Sequence, residues 1–417
     1  MSARERRPMR RRKALWWGSL VAVLAVAAGA AVAVSTSDSG SGSRESAAGA
    51  PSAQLTAATT HAAPTTQAAA SPRPAAAPQP GGPLSPQQIA GQHIIYSYPG
   101  LTPPPELFDR IRAGEVAGVI FFAENVANEQ QLAGVSAQLQ QAAMQSPEHL
   151  PLLLMTDQEG GQVRRLPGGP EASAKQIGQS PEVGTAASQA GAQAAAAMHA
   201  AGANANLAPV LGVYRQPGDF LDQYGRSFGS DPQLVGEAGS RFIAAQQRDG
   251  VAAAAKHFPG LGAAPASANT DEVPVTIDTP AATIRSVDEA PYRQAIAQGV
   301  DMVMPSWAVY PALDPARPAG LSPTIVRGEL RDRLGYRGVT VTDALEAGAL
   351  QTFGDYGNRA VLATQAGMDL LLCSARSVAQ GDQAAAGLSQ AIASGQIDQA
   401  DLAASTARIL ELRASLR

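Results

Sequence analysis

LPLLLMTD (residues 150–157) and VAAAAKHF (251–258) are short apolar runs that end on polar side chains. Neither alternates apolar with polar residues, so each reads as a strand covered on both faces, the pattern of parallel sheets. HIIYSY (93–98), GVIFF (118–122), ANANLAPV (203–210), DMVMPSW (301–307), VTVTD (339–343) and MDLLLCS (368–374) are of the same kind. Gly, Pro or Asp bounds each run, and an Ala/Gln-rich amphipathic stretch follows. ASQAGAQAAAAMHAAG (187–202) and VRGELRDRLG (326–335) have helical spacing and end at Gly. Eight such strand–helix units between residues 84 and 417 predict an α/β fold, a (β/α)8 barrel of TIM type. A doubly wound open sheet is the competing fold. It calls for a Gly-rich turn after the first strand, and SYPGLTPPPE (97–106) is not a G-x-G-x-x-G turn.

Upstream of the barrel domain (84–417) the composition changes three times. Residues 1–14 form a basic n-region, with seven basic side chains and one acid among residues 1–13. Residues 15–36 are uncharged and apolar, long enough to cross a bilayer as a helix. The Arg cluster would stay in the cytoplasm and place the body outside. Two readings stand: a cleaved signal peptide, with AGA and AVA near its end, or an uncleaved signal anchor in type II orientation. Residues 37–83 are rich in Ala, Pro, Ser and Thr without apolar periodicity, which predicts a disordered linker. His61 falls in this linker and carries no functional reading.

The formal net charge of the 417 residues is −4, and the basic N-terminus leaves the remainder more acidic still. Such a body offers no broad basic face to nucleic acid. A single cysteine excludes an internal disulfide and a thiolate zinc cluster. Cys373 lies inside the last predicted strand and reads as a core residue. No metal or organic cofactor is expected.

Polar residues collect at the ends of the predicted strands: Asp157, Asn206, Lys256, His257 and Asp343. Helix capping accounts for one such residue more readily than for five on different strands. In a barrel, the C-terminal strand ends form the active site.

TDQEGGQVRRL (156–166), NLAPVLGV (206–213), YGRSFGSDP (224–232), AAAKHFPGLG (253–262), LSPTIVRGELRDRLGYRGVTVTDALEAGAL (321–350) and ATQAGMDLLL (363–372) occur in this order. Together they resemble glycoside hydrolase family 3, in its single-domain, NagZ-type β-N-acetylhexosaminidase branch. The two-domain β-glucosidases of that family are a poorer match, because they add an α/β domain after the barrel. The resemblance implies retaining hydrolysis of β-linked N-acetylglucosamine, in cell-wall glycans such as peptidoglycan. It implies Asp343 as the nucleophile that forms a covalent glycosyl-enzyme. The plainer reading of Asp343 is an N-cap for a helix starting near Ala344. Lys256 and His257 resemble the family's sugar-binding pair, and Asp157 and Arg226 two further sugar contacts. Plainer readings are a buried Lys on a structural carboxylate, a cap and a surface ion pair. Asn206 and Glu159 are read equally as further contacts or as supports behind these.

The chain departs from the family after KHFPG. The family carries a mobile loop there with a D-x-H acid/base pair, and here Ser267 and Asn269 stand at those positions. Neither can act as a general acid near neutral pH. Leu261 replaces the first loop His, Gly212 an Asp, and Trp307 a His. Three outcomes follow: Asp271 or Glu272 serves as substitute acid/base; only good leaving groups or strong acceptors are used; or the site binds sugar without turnover. The last makes the chain a non-catalytic cell-wall sugar-binding protein, with Trp307 as an aromatic platform. A solvated acidic loop is the plainer reading of Asp271 and Glu272.

Overall fold

The computed structural model describes residues 84–416. The n-region, the apolar segment and the linker with His61 lie outside the described residues. Among the described residues no helix is long and apolar enough to cross a membrane.

All eight predicted runs contribute strands: β1 (Ile94–Tyr96), β2 (Gly118–Ile120), β3 (Leu153–Thr156), β4 (Ala205–Asn206), β5 (Ala252–Phe258), β6 (Met302–Pro305), β7 (Val339–Thr340) and β8 (Leu371–Leu372). They form one sheet in the order β7-β6-β5-β4-β3-β2-β1-β8, parallel throughout. The two outer members also meet. Val341 bridges Leu370, the Thr342 N–H donates to the Leu370 carbonyl at 2.8 Å, and the Leu370 N–H to that of Thr340 at 2.8 Å. The sheet therefore comes round on itself, a TIM-like α/β arrangement.

Helices follow the strands in turn: α1 (Pro105–Arg112), α2 (Glu129–Ala143), α3 (Val183–Ala200), α4 (Pro232–Arg248), α5 (Ala290–Ala297), a π-helical segment (Thr324–Arg333), α6 (Tyr356–Ala366), α7 (Val378–Ala393) and α8 (Gln399–Ser415). Their ends obey local chemistry. The Asp231 carboxylate caps α4 ahead of Pro232, and α6 stops at Gly367 with φ 103°. Small residues let the outer layer close up. A Cβ on Gly191 of α3 would come 2.3 Å from the Phe242 carbonyl of α4, so these helices touch backbone to backbone.

The two-residue period of the strands divides the core. Ile95, Ile120, Leu153, Met155, Ala205, Ala252, Ala254, Met302, Met304, Val339, Val341, Leu370 and Leu372 share the inner cluster. Their neighbours, such as Ile94, Val119, Leu154 and Leu371, pack outward with the helices. Ile409, Leu412 and Leu416, on and just after α8, join the inner cluster and close the N-terminal end of the sheet. The Arg413 guanidinium fastens this plug by donating to the carbonyls of Pro151 (2.8 Å) and Leu150 (3.2 Å). Cys373 is fully buried, as expected.

The ladders are shorter than the predicted runs. VTVTD gives only Val339–Thr340, and ANANLAPV only Ala205–Asn206. The residues beyond leave the ladder at the C-terminal mouth, where their side chains become the walls of a cavity.

Candidate active site

The inward rows predict which side chains reach that mouth. Two residues beyond Met155, Ala254 and Val341 stand Asp157, Lys256 and Asp343. Two beyond Ile120 and Leu372 stand Phe122 and Ser374. All five line one cavity of about 390 Å³, floored by Ile120, Leu207, Met304 and Leu372. Arg226, His257 and Asp271 stand on its polar wall, together with Arg165, Glu346 and Arg376.

A buried ion network braces the mouth. Lys256 Nζ donates to Asp157 Oδ1 at 2.6 Å and lies 2.8 Å from Glu159 Oε1. Arg226 forks onto Glu159, Nε to Oε2 at 2.9 Å and Nη2 to Oε1 at 2.7 Å. Burial works against ionising Glu159, but Arg226 and Lys256 prevail and hold its carboxyl well below the usual range. Burial likewise opposes the charge on Lys256, and Asp157 and Glu159 outweigh it, so its pKa rises. Behind the network, the Asn206 amide accepts from the Gln158 N–H (2.9 Å) and donates to the Gln158 carbonyl (3.1 Å). One buried amide thus fixes the backbone between Asp157 and Glu159. Burial, then Lys256 and Arg226, push the His257 pKa well down, so the imidazole is neutral. Its Nδ1 is buried without a hydrogen-bond partner among the described residues.

Removing one member of a buried pair leaves an uncompensated charge. Lys256→Met is therefore expected to lower stability by about 3–5 kcal/mol, read as a fall in the urea midpoint. An unchanged midpoint would show that Asp157 and Glu159 do not depend on this cation.

Asp343 is half-buried at the end of β7. No helix starts at Ala344, and the next helical turn is Gly348–Phe353, so the capping alternative has no helix to cap. Among the described residues the carboxylate accepts only the adjacent Ala344 N–H, at 2.7 Å. Burial and the charge of Asp271 raise the Asp343 carboxyl to about 7, against the Ala344 N–H and Lys256. Asp271, open to solvent through the mouth, is also raised, by burial and by Glu346 and Asp157, against Arg226 and Lys256. Both carboxyls are thus raised, and the charge of Asp271 opposes ionisation of Asp343.

The loop bearing Asp271 is clipped to the segment after Asp343. Gly348 N–H donates to the Asp271 carbonyl (2.8 Å) and Ala349 N–H to that of Thr270 (3.1 Å). A Cβ at Gly348 would lie 2.1 Å from the Glu272 carbonyl oxygen. Gly348→Ala is accordingly expected to push loop 261–275 off this seat at a cost of about 1–3 kcal/mol. Limited proteolysis would then cut within the loop, and continued resistance would count against the clip.

The remaining sequence candidates are sorted by position. Glu272 is exposed, accepts from the Asn269 amide at 3.1 Å, and does not line the cavity. Ser267 is exposed and outside it, whereas Asn269 and Leu261 line it. Gly212 faces Leu221, whose Cδ1 would lie 2.2 Å from an added Cβ. Trp307 corrects an expectation: it is 1% exposed, its indole N–H donates to the Ala344 carbonyl at 2.9 Å, and it packs with the outer core. An odd count from inward Met304 turns it away from the mouth, so it offers no platform to a sugar. Glu346 lines the cavity and was missed. Its stretch, ALEAGAL, reads as the start of an amphipathic helix, and the only available signal was its nearness to Asp343. Among the described residues no His/Cys/Asp/Glu group could hold a metal ion.

Residues 99–412 match the glycosyl hydrolase family 3 N terminal domain. The chain is 50% identical over 329 residues to an uncharacterized secreted glycosyl hydrolase of Arthroderma benhamiae, covering 78% of this chain and 93% of that one. A beta-hexosaminidase of Xanthomonas oryzae pv. oryzae is 33% identical over 287 residues, 67% of this chain and 83% of its own. The solved glycoside hydrolase family 3 beta-N-acetylglucosaminidase of Paenibacillus is similar at 35% identity and a TM-score of 0.75, over 80% of this chain and 63% of that chain. The beta-N-acetylhexosaminidase of Beutenbergia cavernae gives 31% identity and a TM-score of 0.72, over 80% and 99%.

Proposed function

We propose, from the premise that this chain belongs to glycosyl hydrolase family 3 and is a glycoside hydrolase of the NagZ-type, β-N-acetylhexosaminidase-like branch, that it releases β-linked N-acetylglucosamine by double displacement. Asp343 attacks the anomeric carbon and forms a glycosyl-enzyme, while protonated Asp271 gives its proton to the departing oxygen. Ionised Asp271 then takes a proton from water, which displaces Asp343 from the sugar. Lys256, His257, Asp157 and Arg226 bind the sugar hydroxyls, an arrangement suited to charge-assisted and bidentate contacts.

The observation that carries this reading is the presence of two carboxyl groups, one at a strand end and one on a clipped loop, in a single cavity. A retaining glycosidase needs one acid ionised and the other protonated at the same pH, and two raised carboxyls in different surroundings suit that need. Asp271 lines the cavity and Glu272 does not, which supports Asp271 as the substitute. The reading as a non-catalytic sugar binder leaned on Trp307 and loses that support. We place the substrate among N-acetylglucosamine-containing glycans outside the cytoplasm. The relatives' activities and the secreted Arthroderma relative support this, as does the apolar segment 15–36, cleaved or retained.

The test is intact mass of the full chain with a dinitrophenyl β-N-acetylglucosaminide, whose leaving group needs no proton. A one-sugar mass gain in Asp271→Asn that is absent in Asp343→Asn supports the assignment. Turnover in Asp343→Asn at the parent rate overturns it.

A further inference from the structure

Phe220 lines the cavity, and Tyr224 stands beside it, 45% exposed. Their rings meet edge to face, with centroids 5.6 Å apart and planes at 77°. Both belong to a short helical turn (Phe220–Gln223) and the residue after it, in the connection from β4 to α4. Leu221 is fully buried and packs against Gly212, which seats the turn from below. The turn is also tied to the loop that bears Asp271. The Phe220 N–H donates to the Ala264 carbonyl at 3.0 Å, and the Gln223 side-chain amide to the Ala266 carbonyl at 2.6 Å. Loop 261–275 therefore spans from the aromatic turn to the clip at Gly348 and Ala349.

We propose that Phe220, with Tyr224 beside it, is the specificity-determining wall of the leaving-group subsite, and that it takes the apolar face of a neutral pyranose, a second N-acetylglucosamine. The proposal rests on the assignment of Asp271 as the acid given above. A leaving group that receives its proton from Asp271 departs along the loop carrying this acid, and that loop is anchored on the aromatic turn. A pyranose carries hydroxyls around its rim and C–H bonds on its faces, so a flat apolar ring covers a face without desolvating the rim. Phe220 is the ring placed to do so. The other phenyl group on the cavity wall, Phe122, has the Arg376 guanidinium over it at 4.0 Å from its centroid, and Trp307 is turned into the outer core. The charges of the turn are already engaged. Asp219 accepts from the N–H groups of Arg215 (2.9 Å) and Gln216 (2.7 Å), and Asp222 accepts from that of Gly218 (2.8 Å) and lies 2.7 Å from Lys175 Nζ. An acidic leaving group thus finds no free cation on this turn, and a neutral sugar needs none.

The test compares kcat/KM of the full chain on di-N-acetylchitobiose and on methyl β-N-acetylglucosaminide. Methanol, like a sugar, needs a proton to depart, so the ratio of the two values cancels any disturbance of Asp271 transmitted through the Ala264 bond. Phe220→Leu keeps an apolar side chain and removes the flat face. It is expected to lower the ratio about tenfold. The loss should lie in KM, because a stacked ring is held in the ground state and the transition state alike. Phe220→Tyr should restore most of the ratio. Tyr224→Ala, at an exposed ring, should lower it about threefold, and it decides the matter alone if the Tm of Phe220→Leu shows that variant unfolded. A ratio that stays at the parent value in the folded variants, with or without a loss common to both substrates, would overturn the proposal and leave the two rings a strut for the loop. Asp271→Asn, run alongside, tests the underlying assignment by itself. Parent-like rates for it on both glycosides sink the acid, whatever Phe220 shows. A large loss for it on both, with the Phe220→Leu ratio unmoved, sinks the aromatic wall alone.

Discussion

Asp343→Asn is expected to reduce kcat by about 10⁴–10⁶-fold, the scale seen when a covalent nucleophile is removed. The amide cannot form the glycosyl ester, and the neighbouring acids cannot replace it, since Asp271 stands on the loop above and Asp157 is tied to Lys256. Initial rates on the dinitrophenyl glycoside measure the loss, because they report the first displacement alone. A parallel effect on stability has the opposite sign. The folded Asp343 carboxyl is raised to about 7, above its unfolded value. Its contribution is therefore fully present below the unfolded pKa and is lost as pH rises through about 7. Above that point the parent chain carries an ill-solvated charge that Asn lacks. Urea midpoints should thus favour Asp343→Asn at pH 8 and converge with the parent near pH 4. A lower midpoint for the variant at pH 8 would show that the burial cost is not felt in solution.

Asp271→Asn gives the second large effect, a loss of about 10²–10⁴-fold on substrates with poor leaving groups. On the dinitrophenyl glycoside the first step should survive and the second should stall, because no base activates water. The signature is a burst of dinitrophenol followed by slow turnover. Added azide needs no general base, so it should restore turnover and yield a glycosyl azide. Equal losses on both substrates without a burst would indicate that Asp271 only shapes the cavity.

The parallel strands were legible because burial on both faces leaves near-continuous apolar runs that stand out between polar turns. The strand-end acids and the lysine were legible for the complementary reason, as polar residues closing those runs. Strand parity accounts for both a success and an error. Asp157, Lys256 and Asp343 each fall an even number of residues beyond an inward side chain, and Trp307 falls an odd number beyond Met304. Residue type alone suggested a sugar platform at Trp307, and counting from Met304 turns it into the outer core. The choice between Asp271 and Glu272 was not legible, because loop 261–275 has no period from which to infer a face. The loop is seated by two backbone bonds to Gly348 and Ala349, groups distant in sequence, and Asp271 rather than Glu272 then lines the cavity. The pairing of Arg226 with Glu159 was hidden in the same way, since neither residue carries a local sign of the other.

The seam between β1 and β8 has a consequence for how the chain comes into being. Ile94 lies beside Leu371, and the plug that closes the opposite end is supplied by the last residues described. A chain emerging N-terminus first, from a ribosome or through a translocation pore, presents β1 long before its second neighbour, β8, exists. Such distant pairing is slow to form and keeps apolar strand faces uncovered in the interval. β2 covers one edge of the first strand early, but its other edge must wait for the last strand. The same geometry makes the C-terminus the least dispensable part of the barrel. Truncation before Leu371 removes the neighbour of β1 and the α8 plug together.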